Sequence, residues 1–427
     1  MKTNEQKEKQ RAVIVGLCRT QKEEDATKVE MEELVRLLAT AGATTVGRLW
    51  QFKDSPDPAT CIGSGKLNEL SELCRNETVD LVVFNDELSP SQIRNIEDAL
   101  DGPDVIDRTM LILDIFSLHA VSGEGKIQVE LAQLKYTAPR LSGKGKALSR
   151  QEGRIGTRGP GESKLETDRR YLKQREALLR AQIAGLTKNR ATMRAARERS
   201  GIPKIAIVGY TNAGKSTLLN RLTDAGVMEA DKLFATLDPT TRRLTLPDKT
   251  EVLLTDTVGF IRRLPHHLID AFRSTLEEAV HADLLLLLCD ISDPEAETEL
   301  RVTEELLSSL GAGQTPRLIV YNKCDRAASF REEPYRPGSR RVFLSARDGR
   351  GIHALLCAIA ECLKDGKKEV ELLLPYERAG ILNTLKKECL PLGDASYEEN
   401  GIRVKFLLDN KNYNKYSEFI SGQKENG

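Results

Sequence analysis

From Ala12 onward, short apolar runs alternate with longer stretches whose apolar positions fall on one helical face. "AVIVGLC" (12–18), "TTVGRLWQF" (44–52) and "DLVVFN" (80–85) read as strands. Between them, residues 22–41 carry Val29, Leu34, Val35 and Leu38 at helical spacing, and 66–76 reads as a second helix. "SPSQIRNIEDAL" (89–100) opens with serine at an N-cap position. Strands alternating with helices imply a parallel sheet, so residues 11–125 form one small α/β domain behind a disordered tail at 1–10.

The texture changes at Ile127. Ile127, Leu131 and Leu134 make a helical stripe, and Leu165, Leu172, Leu179 and Leu186 then recur seven apart, with Ile183 and Met193 adding to the seam. A seven-residue repeat lets one helix lie along another. The pattern predicts an antiparallel helical hairpin over 126–200, its short arm near 126–139 and its long arm near 163–199. The loop 141–163 between the arms has six glycines and five basic residues against two acids. Chain of that kind is costly to order, so it is either a connector or a segment that folds onto a partner.

A third alternating unit spans 201–365. Its expected strands are 204–208, 251–255, 284–289, 317–321 and 341–345, in an open α/β sheet. Residues 366–427 form a small α+β domain, with "KKEVELLLP" and "GIRVKFLLD" as strands around a helix near 376–389.

Charge sharpens this outline. The chain of 427 residues has 64 basic and 64 acidic side chains, so net charge names no partner. Residues 1–125 hold 14 Lys/Arg against 23 Asp/Glu, whereas 140–200 hold 17 against 6. That asymmetry fits either a solvated helix face or contact with a polyanion. In the loop, Lys144, Lys146, Arg150, Arg154 and Arg158 are the candidate RNA contacts, because basic side chains displace phosphate counterions. The eight cysteines show no metal-ligand rhythm and suit a reducing cytosol. The polar N-terminus has no signal-peptide pattern, and the apolar run at 284–289 is too short to cross a bilayer. The expectation is a cytoplasmic monomer with no integral membrane segment, peripheral association remaining open.

The chemistry sits in the third unit. "GYTNAGKS", comprising Gly209, Tyr210, Thr211, Asn212, Ala213, Gly214, Lys215 and Ser216, fits GxxxxGK[ST] and lies between an expected strand and helix. Its backbone N–H groups would cradle phosphates, Lys215 would face the outer ones, and Ser216 would ligate Mg²⁺; Thr217 follows in the helix start. "DTVG", comprising Asp256, Thr257, Val258 and Gly259, follows an apolar strand. Asp256 would hold Mg²⁺ through water, and the Gly259 N–H would meet the terminal phosphate of GTP, releasing the following segment on its loss. "NKCD", comprising Asn322, Lys323, Cys324 and Asp325, would select guanine, because Asp325 accepts two hydrogen bonds that adenine cannot give. "SAR", comprising Ser345, Ala346 and Arg347, would bring the Ala346 backbone to the guanine oxygen. A magnesium threonine is sought between 217 and 255, and spacing alone leaves Thr236, Thr240 and Thr241 open. "GSGK" (63–66) lacks the full phosphate-loop spacing and reads as a turn before a helix, with a second nucleotide contact as the weaker alternative.

In "GYTNAGKSTLLN", "FATLDPT", "DTVGFIRRLPHHLIDAFRSTLEE" and "NKCD", together with "GKIQVELAQLKYTAPRL" and "RIGTRGPGESKLETDRR", the chain resembles the HflX family of GTPases. The resemblance covers roughly residues 11–365. It implies that Phe234, Ala235, Thr236, Leu237 and Asp238 form the first nucleotide switch, with Thr236 on magnesium. It also implies binding to the large ribosomal subunit and its rRNA, the hairpin loop pointing inward, and GTP-dependent splitting of stalled or idle ribosomes under stress. Many GTPases place a water-holding glutamine after the "DTVG" glycine, whereas this chain has Phe260, as the family does. An apolar ring cannot orient water, so hydrolysis should be slow without help. Two other functions fit the same motifs: a GTPase of subunit maturation or RNA modification, and a GTP-dependent binding module with little turnover.

Overall fold

The computed structural model describes residues 9–141, 170–186, 202–223, 233–234, 239–263, 276, 278–327, 336–364, 368–408 and 410–420. They pack as two compact units. One comprises Met1–Ala184 with Asp231–Leu237 and Arg262–Phe272; the other comprises Gly185–Ala230, Asp238–Ile261 and Arg273–Gly427.

The first unit is built on four parallel strands in the order β2-β1-β3-β4: β1 (Arg11–Cys18), β2 (Thr44–Phe52), β3 (Leu81–Phe84) and β4 (Asp104–Asp107). Every β1 residue after Arg11 is buried, as expected of a parallel strand covered on both faces. Val13, Val15 and Leu17 share a core with Ile62, Leu70, Phe84 and Ile96. Helix α1 (Glu24–Ala41) packs on β1 and on α4 (Arg108–His119). Helix α2 (Ser64–Asn76) begins at Gly63, whose N–H donates to Gln51 Oε1 at 2.8 Å, so "GSGK" turns into a helix. Helix α3 (Pro90–Leu100) has a full capping box, with Ser89 and Gln92 each satisfying the other's backbone N–H and proline in its first turn.

Strand β4 and helix α4 lie outside the sequence expectations. The strand is four residues long with aspartate at both ends. Helix α4 buries Leu111, Ile112, Leu113, Ile115 and Phe116, leaving no polar face to mark its period. Helix α5 (Gly123–Leu141) follows, and a further helix covers 170–186. Arg175 makes a bidentate pair with Glu130 at 2.7 and 2.8 Å, joining the two helices. Along 170–186 the sevenfold seam is visible: Leu179 is buried and Leu172 and Leu186 are half-buried, while Tyr171 and Leu178 face solvent. Residues 142–169, which hold Lys144, Lys146, Arg150, Arg154, Arg158 and Leu165, lie outside the described residues.

Two later segments complete this unit. The Leu233 N–H donates to Thr40 Oγ1 at 3.2 Å, and the buried Phe234 ring meets Phe116 edge-on with centroids 4.6 Å apart. The Phe234 side chain, grouped by sequence with the nucleotide switch, is thus part of a hydrophobic core. Arg108 is buried and donates to Asn85 Oδ1 (3.0 Å), Glu33 (2.5 Å) and the Arg262 carbonyl (3.1 Å). Arg263 pairs with Glu30 at 3.0 Å.

The second unit carries a six-stranded sheet in the order β10-β9-β8-β5-β7-β6. Five strands are parallel: β5 (Lys204–Gly209), β7 (Glu251–Asp256), β8 (Leu284–Asp290), β9 (Arg317–Asn322) and β10 (Arg341–Phe343). At one edge β6 (Thr240–Thr245) runs antiparallel to β7. Its exposed, polar sequence "TTRRLT" has no strand signature; pairing with β7 decides its conformation. Helix α6 (Lys215–Thr223) starts inside the phosphate-loop motif, and α7 (Ala296–Ser309) and α8 (Ile352–Lys364) cover the sheet. Ile205, Ile207, Leu284, Leu286, Leu318 and Val320 form the core with Leu218 and Leu355.

The same unit contains a small antiparallel sheet of β11 (Lys368–Leu374), β12 (Leu390–Pro391), β13 (Ser396–Glu398) and β14 (Gly401–Leu408), with β14 pairing to all three others. Helix α9 (Gly380–Glu388) contributes Leu382 and Leu385 to its core. No helix among the described residues is long and apolar enough to cross a membrane.

Candidate nucleotide site

Four of the sequence motifs lie at the C-terminal ends of parallel strands in the second unit: Gly209 ends β5, Asp256 ends β7, Asn322 ends β9, and Ser345 lies two residues beyond β10. This is the edge where open α/β sheets bind ligands. Between β5 and α6 the loop turns through Asn212 (φ 61°) and Gly214 (φ 95°). A Cβ on Gly214 would sit 2.3 Å from Asn322 Nδ2, so only glycine lets the loop approach that side chain.

Lys215 is buried, and its Nζ donates to the Gly209 and Tyr210 carbonyls at 3.2 and 2.8 Å. Burial pushes its ammonium down to about 8, while the Asp256 and Glu299 carboxylates oppose that shift. The Ser216 hydroxyl donates to Asp256 Oδ2 at 2.7 Å. A hydroxyl and a fully buried carboxylate this close supply the hard oxygen donors that Mg²⁺ prefers, the nucleotide's phosphates providing the rest. No group of three or more His, Cys, Asp or Glu that could hold a metal ion occurs among the described residues. Of the magnesium threonine candidates, Thr240 and Thr241 lie in β6, where Thr241 Oγ1 meets Thr255 Oγ1 at 2.9 Å. Thr236 lies outside the described residues, as do Ala235, Leu237 and Asp238.

The loop after β7 is fastened to the phosphate loop. Thr257 Oγ1 donates to the Ile207 carbonyl at 2.8 Å. The Phe260 N–H donates to the Gly209 carbonyl at 3.1 Å, and the Thr211 N–H to the Phe260 carbonyl at 2.8 Å. The Phe260 ring is 1% exposed. Val258 is buried beside it, and a Cβ on Gly259 would lie 2.9 Å from Lys215 Nζ.

Asn322 joins the phosphate loop to the base loop. Its Nδ2 donates to the Ala213 carbonyl at 2.8 Å, and its Oδ1 accepts from the Ala346 N–H at 2.9 Å. The Ala346 backbone, expected to contact the guanine oxygen, has its N–H bonded to Asn322 here. Lys323 (φ 62°) pairs with Asp290 at 2.7 Å; Cys324 is buried and Asp325 exposed. Ser345 is fully buried, and Arg347 is exposed. Arg221 on α6 donates to the carbonyls of Ala346, at 3.1 Å, and Arg347. Sequence reasoning missed Arg221 and Asp290, because contacts between residues far apart in the chain leave no local pattern.

A family model described as "GTP-binding GTPase N-terminal" matches residues 28–117, one described as "GTP-binding GTPase Middle Region" matches 119–197, and one described as "50S ribosome-binding GTPase" matches 204–323. GTPase HflX of Caldanaerobacter subterraneus subsp. tengcongensis is 48% identical over 399 residues, covering 93% of this chain and 91% of that protein. The chain belongs to the HflX family. GTPase HflX of Escherichia coli (strain K12) is 42% identical over 377 residues, covering 87% of each. The crystal structure of a GTP-binding protein from Sulfolobus solfataricus in complex with GDP aligns at a TM-score of 0.43 and 25% identity, over 83% of this chain and 98% of the other. As a member of the HflX family, the protein is a GTP hydrolase whose α/β fold centres on a P-loop GTPase domain.

Proposed function

We propose that this HflX-family GTPase binds the large ribosomal subunit in its GTP form, splits stalled or idle ribosomes under stress, and leaves after hydrolysis. The observation that carries this reading is Phe260. Its ring is buried and its backbone is bonded to Gly209 and Thr211, so the position that holds water in many GTPases offers only carbon. Such an enzyme works as a slow timer until an outside body completes the site. The name of the family model over 204–323 and the basic stretch 140–200 both favour ribosomal RNA as that body.

In this mechanism the loop 209–216 holds the phosphates through its N–H groups, and Lys215 places charge at the outer ones. Ser216, Asp256 and Thr236 would hold Mg²⁺, which would supply charge neutralisation when bound. The Gly259 N–H reports the terminal phosphate, and Asp325 selects guanine. Lys144, Lys146, Arg150, Arg154 and Arg158 contact rRNA phosphates.

Sedimentation with purified ribosomes tests the proposal. Protein plus a non-hydrolysable GTP analogue should reduce intact ribosomes and co-sediment with large subunits, and GTP turnover should rise when large subunits are added. Equal turnover with and without subunits would sink the timer. Co-migration with assembly precursors alone would favour a maturation GTPase, and an unchanged ribosome profile a binding module.

A further inference from the structure

Phe260 leaves the hydrolytic step short of a polar group, and Thr211 carries one beside it. Thr211 is 6% exposed, and its Oγ1 is buried with no hydrogen-bond partner among the described residues. Buried hydroxyls are nearly always paired, and an orphan is kept at a cost in stability, which makes it a marker of a ligand or a reacting group. The residue's backbone is already committed, its N–H donating to the Phe260 carbonyl. Its side chain converges with the phosphate-sensing groups. The Cβ position of Gly259 would lie 2.8 Å from Thr211 Cγ2 and 2.9 Å from Lys215 Nζ. The Thr211 methyl, whose carbon neighbour also carries the hydroxyl, is therefore packed against Gly259 beside Lys215, and Gly259 and Lys215 are the groups expected at the terminal phosphate.

We propose that the Thr211 hydroxyl is a catalytic residue of GTP hydrolysis, accepting a hydrogen bond from the attacking water and donating one to a terminal-phosphate oxygen. A hydroxyl has one proton to give and two lone pairs, so it serves both partners at once. The water oxygen bonds to the terminal phosphorus as the bond from that phosphorus to the bridging oxygen breaks. The electron pair leaves on GDP, and the water's proton passes to the phosphate formed. No other co-reactant is needed. The buried ring of Phe260 supplies no polar group, and the polar work falls to the phosphate loop.

The test compares Thr211→Val, which keeps the shape and removes the hydroxyl, with Thr211→Ser, which keeps the hydroxyl, in the full chain without ribosomes. Single-turnover GTP hydrolysis should fall at least ~10-fold in the valine variant and stay within about threefold in the serine variant. GDP affinity should hold within about twofold in both. The nucleotide-free valine variant should melt no lower than the parent, because an unpaired buried hydroxyl has gone. Parental turnover in Thr211→Val would overturn the proposal. A fall in turnover matched by losses of GDP affinity and melting temperature would also overturn it, by showing a structural role. None of these readouts involves the ribosome, so failure here is distinct from failure of the ribosomal reading.

Discussion

Replacing Asn322 by alanine tests whether one side chain holds the two halves of the nucleotide site together. Asn322 is 2% exposed and satisfies two main-chain groups, the Ala213 carbonyl at 2.8 Å and the Ala346 N–H at 2.9 Å. Truncation strands both. Each orphaned buried group costs about 1–3 kcal/mol, so partial relaxation leaves a loss of about 3 kcal/mol in the nucleotide-free protein. With a urea slope of about 2–3 kcal/mol/M, the unfolding midpoint should drop by about 1 M. Because Asn322 acts by aligning loops, GDP binding should weaken by about tenfold, or ~1.4 kcal/mol. Urea titration in EDTA without nucleotide, paired with a fluorescent-GDP titration, reads both quantities. Asn322→Asp keeps the acceptor for Ala346 and loses the donor to Ala213, so it should fall between parent and alanine. Stability intact to within about 0.5 kcal/mol, with GDP affinity down a hundredfold or more, would refute the reasoning: Asn322 would then be a direct ligand and not a tie.

Arg108→Met should destabilise the first unit by about 3–5 kcal/mol, because the buried Glu33 carboxylate loses the Arg108 guanidinium; Arg108→Met with Glu33→Leu should cost less, and chemical denaturation measures both. Asp325→Asn should weaken GDP binding by at least ~100-fold and improve binding of the xanthine analogue, since two charge-assisted hydrogen bonds are lost and a carbonyl replaces the amine they recognised; competition binding decides. Arg403 donates to Glu398 at 2.6 Å, and this hydrogen bond holds the carboxyl below its ordinary value of 4.5. A depressed carboxyl contributes stability above its unfolded value and loses it as pH falls through the folded one. The gap in thermal stability between parent and Arg403→Met should therefore be present at pH 6 and shrink below about pH 4.5.

The long elements were legible because burial imposes a period. Strands at 12–18 and 204–208 follow from short continuous apolar runs, and the helix at 90–100 from its serine N-cap. The phosphate loop was legible for a different reason: close backbone approach admits few residues, and Gly214 against Asn322 is such a case. What escaped depends on partners. Helix α4 scatters its few polar residues around the helix and shows no period, β6 is a strand only beside β7, and Arg221 reaches carbonyls more than a hundred residues away. The commitment of the Ala346 N–H to Asn322 belongs to the same class, since a motif names residues without naming which donor meets which acceptor.

The tie between Tyr210 and Phe260 is made wholly of main-chain atoms. Any amino acid except proline supplies the same amide at 260, so the main-chain tie outlasts a change of side chain, while the buried pocket around the ring limits which side chains fit. Over evolutionary time that position can exchange one apolar side chain of similar volume for another without unseating the loop, whereas a polar one would need a partner inside the same pocket. Proline is the one visitor it should never admit.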